Sequence, residues 1–449
     1  MKAAIAVLLL IVCGPAPAGV VDDYDYPISN PYEATVIGTP PRLKYRIPDL
    51  KERQERIYAM DVYPERRIPN VLWHAQQFEF HLAYQDTPAP LIFIIAGTGA
   101  NYRAPTMQFL VDTFYQAGFH VISLSSPAYY GFIATASASR LPGISSEDAR
   151  DLYRVMKLAR DEVQGEISIT DYYLTGYSMG GLNSAFISYL DETEQVFGFK
   201  KVLLLNPPVN LYTASRLLDG LVEMGAGETT ANQFFDLLFD KFSSYFKERG
   251  MISLGDEAFL FKFQESQQSL TPFELKLLIG AAFRFTAADI VFTSDLLNNS
   301  GYVIDKNVNV TLGSSLTPYL KRALWWRFTD YFDLMLAPYW LRNHPAESRD
   351  DLIRVVSLES LADYLRQSEK IGLITNADEI ILSQADLRFL KETFGQKATI
   401  FPRGGHCGNI QHVAYVRRML SFFRDGYWRD HAVAKRGGAM STPAAGRNP

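Results

Sequence analysis

The chain has 449 residues, of which 47% are hydrophobic and 21% are charged, so it can form a large core and extensive disorder is excluded. Lys and Arg number 44 against 49 Asp and Glu, and the net charge of -5 gives no overall basic field to attract phosphates. Two cysteines are too few for a disulfide framework. We therefore expect a globular protein without a nucleic-acid partner.

Residues 1–18 have the features of an export signal. Lys2 supplies a positive start, an apolar run follows, and an Ala-Pro-Ala sequence ending at Ala18 offers the small residues that signal peptidase reads. The sequence predicts cleavage after Ala18 and a periplasmic or secreted protein. A lipoprotein anchored at Cys13 is the alternative, disfavoured because Val12 is bulkier than the small residue usual before such a cysteine. No later stretch is apolar for long enough to predict a transmembrane segment.

Hydrophobic periodicity then predicts alternating strands and helices. A helix is predicted at 49–59, within an arm rich in Tyr and Pro. Strands are predicted at 78–84, 91–95, 119–124, 172–175, 202–205, 371–375 and 398–401. Helices are predicted at 107–117, from Ser145, and at 180–190, 384–394 and 410–424. This alternation predicts an α/β fold, with a mostly parallel sheet that has helices on both faces.

A long, mostly helical stretch at 210–365 interrupts this pattern. The last two strands cannot form a sheet alone, which favours one α/β core of 19–209 and 366–433 with a helical cap at 210–365 over two tandem domains. Residues 434–449, rich in Gly, Pro and Ala, are predicted to be a flexible tail. The cap is rich in aromatic residues, notably at 325–340, which serve either as its core or as the lining of an apolar substrate site.

The strongest motif is G-x-S-x-G at residues 176–180, placed directly between a predicted strand and a predicted helix. A sharp turn there lifts the hydroxyl of Ser178 above the sheet edge and aims the helix N-terminus at the reacting centre. Glycines flank the serine because side chains would collide with the neighbouring strand and helix. This motif, in this context, resembles the nucleophile turn of the α/β-hydrolase superfamily.

The resemblance implies a catalytic triad in the order serine, acid, histidine. His406 lies on a glycine-rich loop just after the last predicted strand, where the family keeps its base. Asp378 follows the strand before that one and is expected to hold the imidazole in its productive tautomer, with Glu379 as the competing acid.

The resemblance also implies an oxyanion hole. One donor is expected to be the backbone N–H of Met179, directly after the serine. The other is expected to be the N–H of Thr98, in the loop after the strand at 91–95. Many family members have His-Gly in this loop, where this chain has Ala96-Gly97.

These expectations define an exported serine hydrolase, foremost a carboxylic ester hydrolase of the esterase or lipase kind, working through an acyl-enzyme. Its substrate would be a small-molecule or lipid-like ester, with thioesters and amides left open. No metal or organic cofactor is expected. The alternative is a catalytically inactive α/β-hydrolase-fold protein that serves binding or assembly in the cell envelope, since fold does not fix function.

Overall fold

The computed structural model describes residues 19–21, 23–47, 53–223 and 271–425. The predicted leader at 1–18 and the predicted tail at 434–449 lie outside the described residues.

A single nine-stranded sheet organises the chain, in the order β1-β9-β8-β7-β6-β4-β5-β3-β2. The strands are β1 (Gly19–Val20), β2 (Gln54–Met60), β3 (Phe78–Tyr84), β4 (Ala89–Ile95), β5 (His120–Leu124), β6 (Ile169–Tyr177), β7 (Lys201–Leu205), β8 (Ile371–Asn376) and β9 (Ala398–Phe401). β3 is antiparallel to both of its neighbours, and every other pairing is parallel. The mostly parallel sheet predicted from the sequence is confirmed.

Helices connect these strands. They are α1 (Pro31–Ile37), α2 (Pro105–Gln116), α3 (Tyr130–Thr135), α4 (Ser145–Val163), α5 (Met179–Glu194), α6 (Leu211–Glu223), α7 (Pro272–Asn298), α8 (Thr317–Ala323), α9 (Phe328–Tyr331), α10 (Ala337–Asn343), α11 (Arg349–Val355), α12 (Ala362–Gln367), α13 (Gln384–Phe394) and α14 (Val413–Asp425). Short 3-10 helices lie at Pro41–Leu43, Asn70–Leu72, Leu358–Leu361 and Gly395–Lys397, and a π-helix at Phe332–Leu336. In the part of the chain that the structure describes, no helix is both long and apolar enough to cross a bilayer.

The helices cover both faces of the sheet, as predicted. Successive side chains of a strand point to opposite faces, and in β4 they enter two separate buried clusters. Leu91 and Phe93 pack with the cluster that includes α4, α5 and α13. Ile92 and Ile94 pack with the cluster that includes α2 and α14. Burial on both sides explains why β4 reads as an unbroken apolar run rather than as an alternating one.

The predicted helical insertion between β7 and β8 is present, since the described residues there form α6 to α12 and no strand of the sheet. Its largest buried cluster includes Phe332 and Trp340 from the insertion together with Ala128 and Met179 from the α/β core. The insertion therefore packs directly against the segment that carries Ser178.

The helix predicted at 49–59 is wrong, because β2 occupies Gln54–Met60 at the edge of the sheet. β2 pairs with β3 along its whole length, but its first four residues are exposed. Because apolar Ile57 is exposed along with the polar residues before it, the strand has no hydrophobic period, and pairing with β3 rather than a local pattern decides its structure.

Candidate active site

Ser178 lies at the turn from β6 into α5, with φ 54° and ψ -127°. A positive φ is strained for a residue with a side chain. The Ser178 N–H donates a hydrogen bond to the Leu205 carbonyl at 2.8 Å, which ties the turn to β7. Neighbouring strands thus hold the serine in the strained conformation that the motif predicts.

Two glycines make this turn possible. A Cβ atom on Gly176 would lie 2.3 Å from the Gly180 carbonyl oxygen, and one on Gly180 would lie 2.2 Å from the Ile95 carbonyl oxygen. Both distances are far inside van der Waals contact, and the atoms met are backbone atoms that cannot swing away. The collisions expected from the sequence therefore involve the main chain of the turn and of β4.

His406 reaches Ser178 from the loop after β9. Its Nε2 lies 2.9 Å from Ser178 Oγ, within hydrogen-bonding distance. Both residues are buried, with 6% of Ser178 and 9% of His406 exposed. The structure thus brings together the predicted nucleophile and the predicted base, although 228 positions separate them in the chain.

Glu379, not Asp378, contacts the imidazole. His406 Nδ1 lies 2.9 Å from Glu379 Oε1, and the Glu379 side chain is only 1% exposed. Asp378 instead accepts hydrogen bonds from two backbone N–H groups, from Gly404 to Oδ2 at 3.2 Å and from Gly405 to Oδ1 at 2.9 Å. The prediction of Asp378 as the partner of His406 is wrong. The two neighbouring carboxylates diverge after β8, so that one reaches the ring and the other supports the loop carrying it.

Asn206 and Tyr415 extend the hydrogen bonds beyond Glu379. Asn206 Nδ2 donates to Glu379 Oε2 at 2.9 Å, and the Tyr415 hydroxyl donates to Asn206 Oδ1 at 2.7 Å. Asn206, the first residue after β7, has φ 46°, which asparagine tolerates better than most residues. Its place at the carboxyl end of β7 was the only sequence signal for it, and α14, which carries Tyr415, offered none.

The charges around His406 set its protonation. Burial lowers the pKa of His406, but its contacts with Cys407 and with the Glu379 carboxylate raise it, and the net pKa lies well above the usual value. The Cys407 sulfur is 3.9 Å from His406 Nε2, whereas Glu379 is in direct contact. Glu379 therefore favours a proton on this imidazole.

The loop after β4 passes close to the serine. A Cβ atom on Gly97 would lie 3.2 Å from the Cβ of Ser178. Thr98 and Met179 both line the cavity onto which Ser178 and His406 open. This location is compatible with two N–H donors beside the hydroxyl, and their role as an oxyanion hole stays a prediction.

The cavity above Ser178 contains about 710 Å³ of empty space, including its open mouth. The insertion supplies most of its wall, from α6, α7, α9 and the π-helix. Among the described residues that line it, none is Asp, Glu, Lys or Arg. Of the predicted aromatic cluster, Phe328, Tyr331 and Phe332 line the cavity, whereas Trp325 is 62% exposed. The cluster therefore contributes both to the core of the insertion and to the wall of the site.

Over the described ranges of the chain, no group of three or more His, Cys, Asp or Glu side chains is placed to hold a metal ion.

The sheet, the serine turn between β6 and α5, and the helical insertion after β7 together define an α/β-hydrolase fold. No protein-family model matches the sequence, and no curated protein matches it.

Several solved structures are similar in fold. An esterase from Pyrococcus furiosus has 10% identity, covers 85% of this chain and 95% of its own, and gives a TM-score of 0.39. Carboxyl esterase 2 from Tuber melanosporum has 13% identity, with 85% and 87% covered and a TM-score of 0.40. Est1E from Butyrivibrio proteoclasticus has 12% identity, with 78% and 94% covered and a TM-score of 0.35. At this level of similarity these structures are no guide to the substrate.

Proposed function

We propose that the protein is a serine hydrolase that cleaves carboxylic esters through an acyl-enzyme. The observation that carries the proposal is the continuous contact from Ser178 Oγ to His406 Nε2 and from His406 Nδ1 to Glu379, each at 2.9 Å. Nucleophile, base and orienting acid are the three parts that this chemistry needs.

The proposed reaction begins with attack of Ser178 Oγ on the ester carbonyl. His406 Nε2 takes the hydroxyl proton, and Glu379 stabilises the resulting imidazolium through Nδ1–H. The C–O bond of the ester then breaks, and His406 returns the proton to the leaving alcohol. A water molecule, deprotonated by the same imidazole, then attacks the acyl carbon, the bond from that carbon to Ser178 Oγ breaks, and His406 returns the proton to Oγ as the carboxylic acid leaves.

The backbone N–H groups of Met179 and Thr98 are proposed to bind the oxyanion of the tetrahedral intermediate. Met179 begins α5, whose N-terminus adds a favourable partial positive charge at this point. Each such donor contributes on the order of 3 kcal/mol to lowering the barrier.

The apolar wall of the cavity supports an apolar acyl group. Burying each methylene contributes about 0.8 kcal/mol, equivalent to roughly fourfold in kcat/KM where the transition state keeps the contact. The absence of charged side chains from the described wall offers no partner for a charged acyl chain. Thioesters and amides of the same acids would follow the same steps.

Lengthening the acyl chain of p-nitrophenyl esters is expected to raise kcat/KM, by up to roughly fourfold per methylene until the cavity is full. Ala214 is buried on α6 and lines the cavity, so Ala214→Phe should selectively slow the longest esters. Leu217 lies on the same helix but is 36% exposed, and Leu217→Phe is the matched control. A flat response to chain length, or equal losses in both variants, would contradict the proposed acyl site.

We also propose, on the leader sequence alone, that the chain is exported and cut after Ala18. The described strand β1 begins at Gly19, so this cleavage would leave the sheet intact. Mass analysis of the protein from the native host should find Gly19 as the first residue. A retained leader would count against export by this route.

A further inference from the structure

Helix α1 belongs to the N-terminal arm, residues 19–47, and contacts the backbone of the loop that carries His406. The His406 N–H donates a hydrogen bond to Thr35 Oγ1 at 2.9 Å. The Thr35 hydroxyl in turn donates to the Pro31 carbonyl at 2.7 Å, one helical turn back. The Thr35 hydroxyl is therefore oriented by its own helix, and in this orientation it accepts the hydrogen bond from the His406 N–H.

The helix and the loop approach closely enough to require glycine. A Cβ atom on Gly405 would lie 2.1 Å from the Pro31 carbonyl oxygen, and one on Gly408 would lie 2.0 Å from the Ala34 carbonyl oxygen. Gly405 also has φ 55°, in the region that favours glycine. Glycines beside His406 give the loop little stiffness of its own, so its position depends on what packs against it.

The arm is also bound to the β9 edge of the sheet. β1 pairs with β9, the strand that leads into the His406 loop. The Tyr24 hydroxyl donates to the Arg403 carbonyl at 2.6 Å, and it accepts from Asn409 at 3.0 Å. Asp23 and Arg403 form an ion pair at 2.6 Å. These contacts hold α1 against both ends of the loop.

A different face of α1 packs against the insertion. Tyr32 and Val36, one turn apart, contact a buried cluster that includes Leu218 and Ile381. Leu218 and Ile381 also line the cavity. The helix thus lies between the wall of the substrate site and the loop that carries the base.

We propose that Thr35 is a positioning residue that sets the place of His406 by accepting its backbone N–H. The proposal rests on the proposed function, since it assigns Thr35 an effect on the reactivity of Ser178. Thr35 holds the backbone of the residue whose ring must meet both Ser178 and Glu379. Losing this acceptor leaves a buried N–H unpaired and lets the loop move, which lengthens the Nε2–Oγ contact.

Thr35→Val, which keeps the shape and removes the hydroxyl, is expected to lower kcat and the rate of fluorophosphonate labelling by about tenfold or more. KM should stay within about twofold, because Thr35 lies outside the described lining of the cavity. Thr35→Ser restores the acceptor and should recover most of the rate.

Thr113→Val is the matched control. The Thr113 hydroxyl also donates to a carbonyl one turn back, that of Phe109, but it lies in α2. The Thr113→Val variant should have a lower thermal stability than the wild type, but the same rate of fluorophosphonate labelling. If Thr35→Val does not fold, Thr35→Ala is measured in its place.

The possible failures are distinguishable. A wild-type protein that does not react with the probe would overturn the proposed function. A reactive wild type with equally reactive Thr35→Val, or a Thr35→Ser variant as slow as Thr35→Val, would overturn the positioning role alone.

Discussion

Replacing Ser178 by alanine is expected to abolish labelling by a fluorophosphonate probe and to lower kcat for esters by about 10⁶-fold. The substitution removes the only atom that can form the acyl-enzyme in the proposed mechanism. Folding should survive, because the smaller side chain fits the same turn. The measurement is probe incorporation together with hydrolysis of p-nitrophenyl acetate, at matched protein concentration.

Ser184→Ala is the control for this experiment. Ser184 is buried on the same helix, α5, and its hydroxyl donates to the Gly180 carbonyl at 2.8 Å rather than facing His406. This variant should label like the wild type. Labelling that persists in Ser178→Ala would remove Ser178 from the mechanism. A folded wild type that neither labels nor hydrolyses any ester would favour the inactive envelope protein.

Replacing Glu379 by glutamine is expected to lower kcat by about 10⁴-fold, whereas Asp378→Asn should lower it by no more than about tenfold. Glutamine keeps the size of the side chain, but it loses the charge that stabilises the imidazolium and can present a donor to Nδ1. Asp378 faces the N–H groups of Gly404 and Gly405, and the asparagine carbonyl can still accept one of them. The comparison is made by steady-state kinetics on one ester.

The pH dependence of kcat/KM provides a second readout of the same pair. His406 must be neutral to act as a base, and its raised pKa places the acid limb of the wild-type profile above the ordinary histidine value. Removing the negative charge of Glu379 lowers that pKa, so the limb should move to lower pH in Glu379→Gln. In Asp378→Asn it should stay near its wild-type position. A larger loss of rate in Asp378→Asn than in Glu379→Gln would reverse the assignment made from the geometry.

The parts of the fold that the sequence predicted well are those governed by local pattern. β4 lies between two layers of helices, so its apolar run is visible without any knowledge of its neighbours. The serine turn is equally local, because the glycines at 176 and 180 and the strand before them are contiguous in the chain. His406 could be selected because the α/β-hydrolase resemblance places the base on the loop after the last strand, and this loop is contiguous with that strand in the chain.

Other elements depend on partners that are remote in sequence. β2 is a strand only because β3 pairs with it. Helix α1 gains its place from the loop around His406 and from the insertion, which are separated from it by most of the chain.

The amino-acid sequence by itself determined the class of fold and the turn that carries Ser178, because short-range periodicity and backbone sterics act within a few residues, and the α/β-hydrolase resemblance singled out His406. Only the tertiary structure decided between Asp378 and Glu379. The two carboxylates are adjacent in the sequence, so their sequence distances from His406 differ by only one residue. They differ in the direction in which their side chains point. One side chain meets Asn206 of the neighbouring strand end and the imidazole, and the other meets the main chain of the loop.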